Sequence, residues 1–254
     1  MKIGVVAGEA SGDLLGSQLM VALKSKRPEI TFIGIAGPKM IAQGAESLFP
    51  IDRLSVRGYV EVLKHLLGLL KLRKQLYQFL LQEKIDLFIG IDAPDFNFWL
   101  EKEFKKKGIQ TIHYVSPSIW AWRKERIHKI KHCVQHMLCL FPFEPALYKA
   151  ENIPASYIGH PLADMIPMEP DTLAMRKKLK LDASDLIVAM LPGSRLSEVQ
   201  QHAALFIATA KEIQQKIPNA LFLVPFITMP TRKVFEKALS NCKEPVNIKL
   251  MYGH

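Results

Sequence analysis

The chain has 254 residues, of which 49% are hydrophobic and 23% are charged. This composition is typical of a globular protein and excludes a disordered chain, a collagen-like repeat and a small disulfide-rich scaffold. Lys and Arg (34) outnumber Asp and Glu (24), and the formal net charge of +10 favours an anionic partner such as phosphate, nucleic acid or an acidic membrane. The three cysteines lack metal-ligand spacing and indicate neither a disulfide framework nor a zinc site.

The first apolar run of the chain reaches Glu9 too soon to form the apolar region of a signal peptide. No stretch approaches the about 18 uncharged apolar residues that a membrane-spanning helix needs. We therefore expect a cytoplasmic protein, which can still contact a membrane at its surface.

Short apolar runs alternate with helix-length segments along the chain. The predicted strands are Ile3–Ala7, Ile30–Ala36, Leu87–Ile91, Thr111–Val115, Val134–Phe141, Leu186–Leu191, Leu221–Phe226 and Val246–Met251. This alternation predicts an α/β, Rossmann-like fold whose parallel sheets are covered on both faces. Three prolines between His160 and Asp171 predict a linker, and the three strands after it make about half of a doubly wound domain. We therefore expect domains at 1–165 and 171–254, the second incomplete.

The loop after the first predicted strand, residues 8–13, contains two glycines and three polar residues. Glycines allow close backbone approach, and free N–H groups at a helix start favour an anion or a sugar hydroxyl. The loop lacks the spacing of a dinucleotide fingerprint or a P-loop. A tight turn, with Ser11 or Asp13 capping the helix, is the alternative interpretation.

Asp92 follows the predicted strand Leu87–Ile91. An acid at a strand end projects into the ligand crevice of an open α/β sheet, where it can take a proton from a substrate hydroxyl. Asp95 and Asn97 follow Pro94 and are interpreted as caps of a helix that starts near Phe98. We therefore favour Asp92 as a catalytic base.

Two serines, two tryptophans and an arginine share the loop 113–123 after the next strand. Aromatic faces beside hydroxyl donors suit a sugar ring or an acyl chain, and packing against a neighbouring helix is the alternative.

The basic segment 124–132 predicts a solvated helix face, with a phosphate-facing role as the second interpretation. His160 could reach an interdomain cleft, although a lone histidine is more often a hydrogen-bonded structural residue.

The loop Leu191–Arg195 ends the first strand of the second predicted domain. Ser197, Glu198, Val199 and Gln200 have the spacing of a capping box that opens a helix. Backbone donors, a helix dipole and an arginine fork together make a diphosphate site. Arg195 is therefore predicted to neutralise the charge on a leaving nucleoside diphosphate.

A leucine-rich segment beginning after Val56 has too many apolar residues for one helical face. Lysines and Arg73 lie among these residues, as expected for an interfacial helix that docks on anionic lipid. The alternative, a buried helix, applies best to the later set Leu72, Leu76, Phe79 and Leu80. The predicted membrane-binding residues are Val60, Val62, Leu63, Leu66, Leu69 and Leu70.

These segments, in this order, resemble the lipid-A-disaccharide synthase family, the inverting glycosyltransferases of outer-membrane lipid A assembly. The matching stretches are VAGEASGD from Val6, GIDAPDFN from Gly90, HYVSPSIWAWR from His113, PFE from Pro142, IGH from Ile158 and LPGSR from Leu191. The resemblance implies a GT-B architecture with a lipid-linked acceptor on the first domain and a UDP-sugar on the second.

The resemblance implies transfer of a sugar from UDP-2,3-diacylglucosamine to 2,3-diacylglucosamine 1-phosphate, without metal or cofactor, on the cytoplasmic face of the inner membrane. The family's essential acid falls on Asp92 and its essential arginine on Arg195. The substrate-binding residues assigned on this basis are Gly8, Glu9, Ser11, Gly12, Asp13, Ser116, Trp120, His160, Gly193 and Ser194. Anionic lipid is an expected partner and nucleic acid is not, because no recognition motif is present.

The family continues beyond the last residues of this chain, Tyr252 to His254, through a Ser-Gly-Thr-x-x-x-Glu type segment and a final helix. The resemblance therefore implies a C-terminally truncated chain that lacks uracil and ribose contacts and much of the family's dimer interface. A noncatalytic lipid-binding chain and a nucleotide-sugar epimerase on the same scaffold are the alternatives.

Overall fold

The computed structural model describes residues 1–54, 59–242 and 244–252, with side chains described for 1–54, 66–242 and 244–252. The chain divides into two compact units, Met1–Met168 and Glu169–His254. The division falls between Pro167 and Pro170 of the predicted linker.

Unit 1 alternates strands and helices along the chain. Its described strands are β1 (Lys2–Ala7), β2 (Thr31–Ile35), β3 (Ala45–Ser47), β4 (Leu87–Ile91), β5 (Gln110–Tyr114), β6 (His136–Cys139) and β7 (Ala155–Tyr157). Its described helices are α1 (Ala10–Lys26), α2 (Pro38–Ala42), α3 (Tyr59–Gln82), α4 (Pro94–Lys106), α5 (Arg126–Cys133), α6 (Glu144–Lys149) and α7 (Pro161–Met165), with a 3₁₀ turn at Ile51–Arg53. This alternation is the one that the apolar runs predict.

The strands of unit 1 form a parallel sheet with the order β3-β2-β1-β4-β5-β6-β7 among the described residues. Ile3 and Val5 of β1 contribute to one buried cluster and Val6 to another, because successive strand residues face opposite sides. Helix α1 covers the first face through Leu15, and α3 and α4 cover the second, where Phe104 is buried. Apolar residues on both faces explain why β1 is a continuous hydrophobic run.

Unit 2 has the same construction at smaller size. Its described elements are α8 (Thr172–Lys178), β8 (Leu186–Ala189), α9 (Leu196–Lys216), β9 (Ala220–Phe226), α10 (Met229–Ser240) and β10 (Ile248–Tyr252). Within the described residues, its strands pair in parallel in the order β10-β9-β8. Val199 and Ile207 of α9 pack with Phe222 and Phe235 into one core.

The observed elements differ from the predicted ones at β3, β6, β7 and the start of α4. Strands β3 and β7 were not predicted, and β6 is shorter than the predicted strand Val134–Phe141. The predicted start of α4 near Phe98 is wrong, because the helix begins at Pro94, whose fixed φ suits a first helical turn.

Candidate functional site

The first candidate site lies at the carboxyl edge of the unit 1 sheet. The strand order reverses between β1 and β4, with β2 beyond one strand and β5 beyond the other. Such a reversal leaves a crevice outside the strand ends in which α/β proteins bind ligands. The fold therefore places the loop that starts at Gly8 beside the loop that starts at Asp92.

These two loops are in direct contact. A Cβ atom built on Gly8 would lie 2.5 Å from Cβ of Ala93, which is closer than real Cβ atoms approach. Gly12 is also buried, and a Cβ atom there would lie 3.5 Å from the carbonyl oxygen of Ile91. Gly8 therefore has a structural role in admitting the β4–α4 loop, in addition to its predicted contact with substrate.

The backbone of Asp92 is held in an unusual conformation. Asp92 and Ala93 have φ angles of 53° and 44°, in the left-handed region that non-glycine residues adopt at a cost. The Asp92 N–H donates to the carbonyl of Tyr114 at 2.8 Å, and Nδ2 of Asn97 donates to the carbonyl of Asp92 at 2.8 Å. The half-buried Asp92 side chain therefore projects from a fixed backbone, as a general base requires.

A buried acid–histidine pair lies under the end of β4. Glu101 and His113 are both 0% exposed, and Oε1 of Glu101 lies 2.7 Å from Nδ1 of His113. Burial raises the pKa of the Glu101 carboxyl, and the adjacent His113 opposes that rise. A Cβ atom on Gly90 would lie 2.2 Å from Oε1 of Glu101, so this glycine makes room for the carboxylate. Sequence analysis missed the pair because one member lies on a helix and the other in a strand.

The polar residues of the first loop have separate roles in the structure. Glu9 is the N-cap residue of α1, and Ser11 is exposed on its first turn. Asp13 is buried, and its two carboxylate oxygens accept the N–H groups of Lys39 and Met40, each at 2.9 Å. The alternative interpretation, that Ser11 or Asp13 caps α1, is wrong, because Glu9 is the N-cap of α1 and Asp13 binds N–H groups in the first turn of α2.

Ser116 and Trp120, both predicted to bind substrate, lie in different environments. Ser116 is 7% exposed, and its hydroxyl oxygen is hydrogen-bonded to that of Tyr148 at 2.7 Å. Burial raises the pKa of Tyr148. Trp120 is exposed and meets Phe143 edge-on, and Phe143 stacks on Phe141. The three rings form an exposed aromatic surface that sequence analysis assigned only at Trp120.

His160 caps the short helix α7. Its Nδ1 accepts the N–H of Leu162 at 3.2 Å, and the residue is half-buried. This contact corresponds to the alternative interpretation of His160 as a hydrogen-bonded structural residue. Its contact with substrate stays a prediction.

The second candidate site is the loop between β8 and α9 in unit 2. The predicted capping box that starts at Ser197 is wrong, because α9 already begins at Leu196. The capping box is formed instead by Arg195 and Glu198. The Glu198 carboxylate accepts the N–H of Ser194 at 2.9 Å and that of Arg195 at 3.1 Å, and it pairs with the Arg195 guanidinium.

Glu198 shows that this loop binds an anionic oxygen. Burial acts to raise the pKa of Glu198, but hydrogen bonds from the Arg195 and Ser194 backbone and from the Arg195 guanidinium lower it overall. Gly193 has a φ of 142°, and a Cβ atom there would lie 2.5 Å from Cβ of Glu198. Backbone donors at a helix start beside an arginine are suited to phosphate oxygens.

The described part of α3 has an exposed half and a buried half. Leu66 and Leu70 are each 41% exposed, Leu67 is 82% exposed and Leu69 is half-buried. The later turns pack into the core through Leu72, Leu76 and Leu80. The other predicted membrane-binding residues, whose side chains lie outside the described residues, are Val60, Val62 and Leu63. Leucines that share one helix therefore serve both a core and a surface.

The described residues contain neither a metal-binding group nor a membrane-spanning helix. No three His, Cys, Asp or Glu side chains in residues 1–54, 59–242 and 244–252 form a group that could hold a metal ion. No helix in that part of the chain is long and apolar enough to cross a bilayer.

Sequence relatives cover nearly the whole chain. The family described as lipid-A-disaccharide synthetase matches residues 3–253. Lipid-A-disaccharide synthase of Methylobacillus flagellatus is 62% identical over 253 residues, which are 99% of this chain and 67% of the relative. The synthase of Chromobacterium violaceum is 50% identical over 255 residues, covering 100% of this chain and 66% of the relative. The chain thus spans about two thirds of the length of these curated relatives.

Solved structures share the fold at low identity. UDP-GlcNAc 2-epimerase from Neisseria meningitidis bound to UDP-GlcNAc has a TM-score of 0.63 at 13% identity, covering 100% of this chain and 73% of that one. Methanocaldococcus jannaschii UDP-GlcNAc 2-epimerase in complex with UDP-GlcNAc and UDP has a TM-score of 0.62 at 14% identity, with 99% and 73% covered. These likenesses show the fold alone and confirm the predicted α/β class, GT-B type with an incomplete second sheet. Because the family match extends over almost every residue, the chain belongs to the lipid-A-disaccharide synthase family of glycosyltransferases.

Proposed function

We propose that this chain carries the groups that transfer 2,3-diacylglucosamine from UDP-2,3-diacylglucosamine to 2,3-diacylglucosamine 1-phosphate, giving lipid A disaccharide 1-phosphate and UDP. Family membership supports this reaction class. The observation that carries the proposal is the position of Asp92, half-buried at the end of β4 beside the Gly8 loop, with its backbone bonded on both sides. An acid fixed at such a strand end is suited to general-base catalysis.

Asp92 would take the proton from the 6-hydroxyl of the acceptor as that oxygen attacks the anomeric carbon of the donor. The new carbon–oxygen bond forms on the face opposite UDP while the bond to the diphosphate oxygen breaks. The electron pair of that bond leaves with UDP, and the anomeric configuration inverts. Holding the acceptor beside a fixed base lowers the entropic part of the barrier.

Arg195 would stabilise the charge that develops on the leaving diphosphate. The N–H groups of Ser194 and Arg195 hold a carboxylate oxygen of Glu198, so the loop already binds one anionic group. Donor binding then requires the Glu198 carboxylate to leave these N–H groups and the guanidinium, which bind the diphosphate in its place. The positive end of the α9 dipole adds to the attraction.

We further propose a peripheral location on the cytoplasmic face of the inner membrane, in contact with anionic lipid. The exposed Leu66, Leu67 and Leu70 of α3 support this location, and Lys71 and Lys74 lie exposed on the same helix. Leucines of an interfacial helix enter the acyl boundary while its cations reach the headgroups. Both proposed substrates carry acyl chains, which supports a location at the same surface.

Asp92→Asn tests the catalytic assignment. We expect transfer to fall by roughly 100- to 10,000-fold, because the amide cannot accept the hydroxyl proton. The measurement is acceptor-dependent UDP release from UDP-2,3-diacylglucosamine in detergent, with thermal unfolding as a check on the fold. Asp95→Asn is the matched control, since its exposed carboxylate pairs, among the described residues, with Arg126 alone. Undiminished transfer in Asp92→Asn would remove Asp92 from its role.

Lipid binding without transfer is the second candidate function, and the exposed leucines of α3 favour it. The discriminating measurement is acceptor-dependent UDP release by the chain itself. Release supports the transferase function for this chain. No release from a folded sample, together with salt-sensitive cosedimentation with anionic vesicles, would leave lipid binding as its function.

A further inference from the structure

A groove of about 660 Å³ runs along α4 in unit 1, with further walls from α3 and α5. Its lining extends from Asp95 in the first turn of α4 to Lys106 in the last. A helix of this size is about 20 Å long, so the groove is large enough for a headgroup rather than a single ion. The described lining includes none of the residues assigned above to substrate.

The lining of this α4 groove is strongly basic. Asp95 is the one carboxylate among its described residues, and that carboxylate is already bonded to Arg126 at 3.0 Å. The basic side chains of the lining are Arg73, Lys102, Lys105, Lys106, Lys129 and His132. The groove therefore has a large excess of positive charge.

Several of these cations have no anionic partner in the part of the chain that the structure describes. Lys106 pairs with Glu103 at 2.7 Å, but Arg73, Lys102, Lys105 and Lys129 form no ion pair there. The Arg73 guanidinium lies 4.6 Å from the centroid of the Trp99 ring, which holds it beside the groove. Like charges held close together repel one another, and a bound anion relieves that repulsion.

Positive charges of the groove lie near one buried residue, Cys133. Cys133 lines the groove and is 3% exposed, and burial and the charge of Glu101 raise the pKa of its thiol. The positive charges of Lys129, Lys102 and Lys105 oppose that rise. Lysines of α4 and α5 therefore both lie near Cys133.

The groove also adjoins the exposed leucines of α3. Leu66, Leu70 and Arg73 follow one another at about one helical turn and therefore share a helix face. Leu66 and Leu70 are exposed, and Arg73 lines the groove. On a membrane surface this arrangement places leucines in the acyl layer and cations at the depth of the phosphates.

We propose that the α4 groove is a phosphate-binding site that receives the headgroup of an anionic lipid. The proposal rests on the membrane location proposed above and specifies the chemical group that the chain recognises there. Lys102, Lys105 and Lys129 attract the phosphate diester as point charges. Arg73, held over Trp99, offers a planar fork to two phosphate oxygens.

The test compares two triple variants of the chain for binding to phosphatidylcholine vesicles with and without phosphatidylglycerol, at fixed ionic strength. The groove variant is Lys102→Gln/Lys105→Gln/Lys129→Gln, and the control, built from exposed lysines outside the groove, is Lys26→Gln/Lys149→Gln/Lys237→Gln. Both remove three charges. We expect the groove variant to lose roughly 100-fold in partition to anionic vesicles and the control less than about 3-fold.

A double variant guards against a folding defect, because Nζ of Lys105 also donates to the carbonyls of Lys131 and Val134. Lys102→Gln/Lys129→Gln leaves these bonds intact and is expected to lose roughly 30-fold. The thermal unfolding curve of each variant shows whether the variant is still folded. Equal losses in the groove and control variants, or no loss in either, would overturn the headgroup site.

The two kinds of vesicle separate this proposal from the membrane location itself. Binding to phosphatidylcholine that phosphatidylglycerol does not strengthen overturns the groove and the contact with anionic lipid but leaves a peripheral membrane location standing. Binding to neither kind of vesicle overturns the membrane location as well. Inorganic phosphate at matched ionic strength tests the other source of the same chemistry. Displacement of the chain from anionic vesicles supports the groove, and saturable phosphate binding that leaves vesicle binding unchanged overturns the lipid assignment.

Discussion

The β4–α4 loop of unit 1 and the β8–α9 loop of unit 2 hold a charged residue at a strand end by opposite means. Asp92 is held through its backbone, by Tyr114 and Asn97, so its carboxylate is not needed to hold the loop. Arg195 is held through its charge, by the Glu198 carboxylate that also binds the loop's N–H groups. The first arrangement suits a base that must stay in place, and the second suits a site that exchanges one anion for another.

Gly90→Ala is the change that should break the fixed loop most severely. The new methyl group would lie 2.2 Å from Oε1 of Glu101 and 2.8 Å from Cβ of Asn97, whose amide bonds the Asp92 carbonyl. We expect a loss of about 2–3 kcal/mol in unfolding free energy, measured by urea denaturation. Gly68→Ala on α3, where an added Cβ atom meets no described atom within 4 Å outside the backbone of its own helix, is the control and should stabilise by up to about 1 kcal/mol. Equal effects of the two changes would contradict the assigned crowding.

The buried carboxyl under β4 should make stability depend on pH. The pKa of Glu101 is raised in the folded chain, so the folded state binds this proton more tightly than the unfolded state does. The resulting stabilisation is fully present at pH values below the ordinary pKa of 4.5. That contribution is lost as pH rises through the folded pKa. Glu101→Gln removes this titrating group. The unfolding free energy of the variant should therefore rise relative to that of the wild type as pH rises, by about 1.4 kcal/mol for each unit of pKa shift.

Urea unfolding of both proteins at a series of pH values, beginning near the ordinary carboxyl pKa, measures this gain. Glu29→Gln, at an exposed position, is the control and should change the unfolding free energy by less than about 0.5 kcal/mol throughout. A gap between Glu101→Gln and the wild type that stays constant with pH would show that Glu101 keeps an ordinary pKa.

Glu198→Gln should have the smallest effect of these changes. It tests whether the β8–α9 loop of unit 2 exchanges Glu198 for another anion. Loss of the capping charge at the start of α9 should lower the free energy of unfolding by about 0.5–1 kcal/mol, as measured by thermal unfolding. UDP should bind about 3-fold more tightly by titration, because the competing carboxylate is gone. Glu236→Gln, whose carboxylate pairs with Arg232 on α10, is the control and should change neither quantity appreciably. Weaker UDP binding by Glu198→Gln would make Glu198 a donor-binding residue instead of a competitor.

The strands that the sequence predicted best are those buried on both faces. β1, β4 and β9 are continuous apolar runs, because parallel strands between two helical layers have few solvent-facing positions. β3 and β7 are three residues long and have no such run. Their strand conformation depends on pairing with β2 and β6, which a local pattern does not contain.

The positions of the candidate residues were more predictable than their partners. Residues after parallel strands share one sheet edge, so the loops at Gly8 and Asp92 could be located from the strands alone. Asp13 caps a helix far along the chain, and Ser116 bonds to Tyr148 on α6. Such partners are set by tertiary packing, so a residue type in a loop did not reveal whether its side chain serves the fold or a ligand.

The contact between Gly8 and Ala93 ties together two loops that lie far apart in the chain. Any side chain larger than hydrogen at position 8 collides with position 93 and moves the backbone that carries Asp92. A substitution in one of these loops therefore changes the geometry of the other, although the two are separated by about half the length of unit 1 in the sequence.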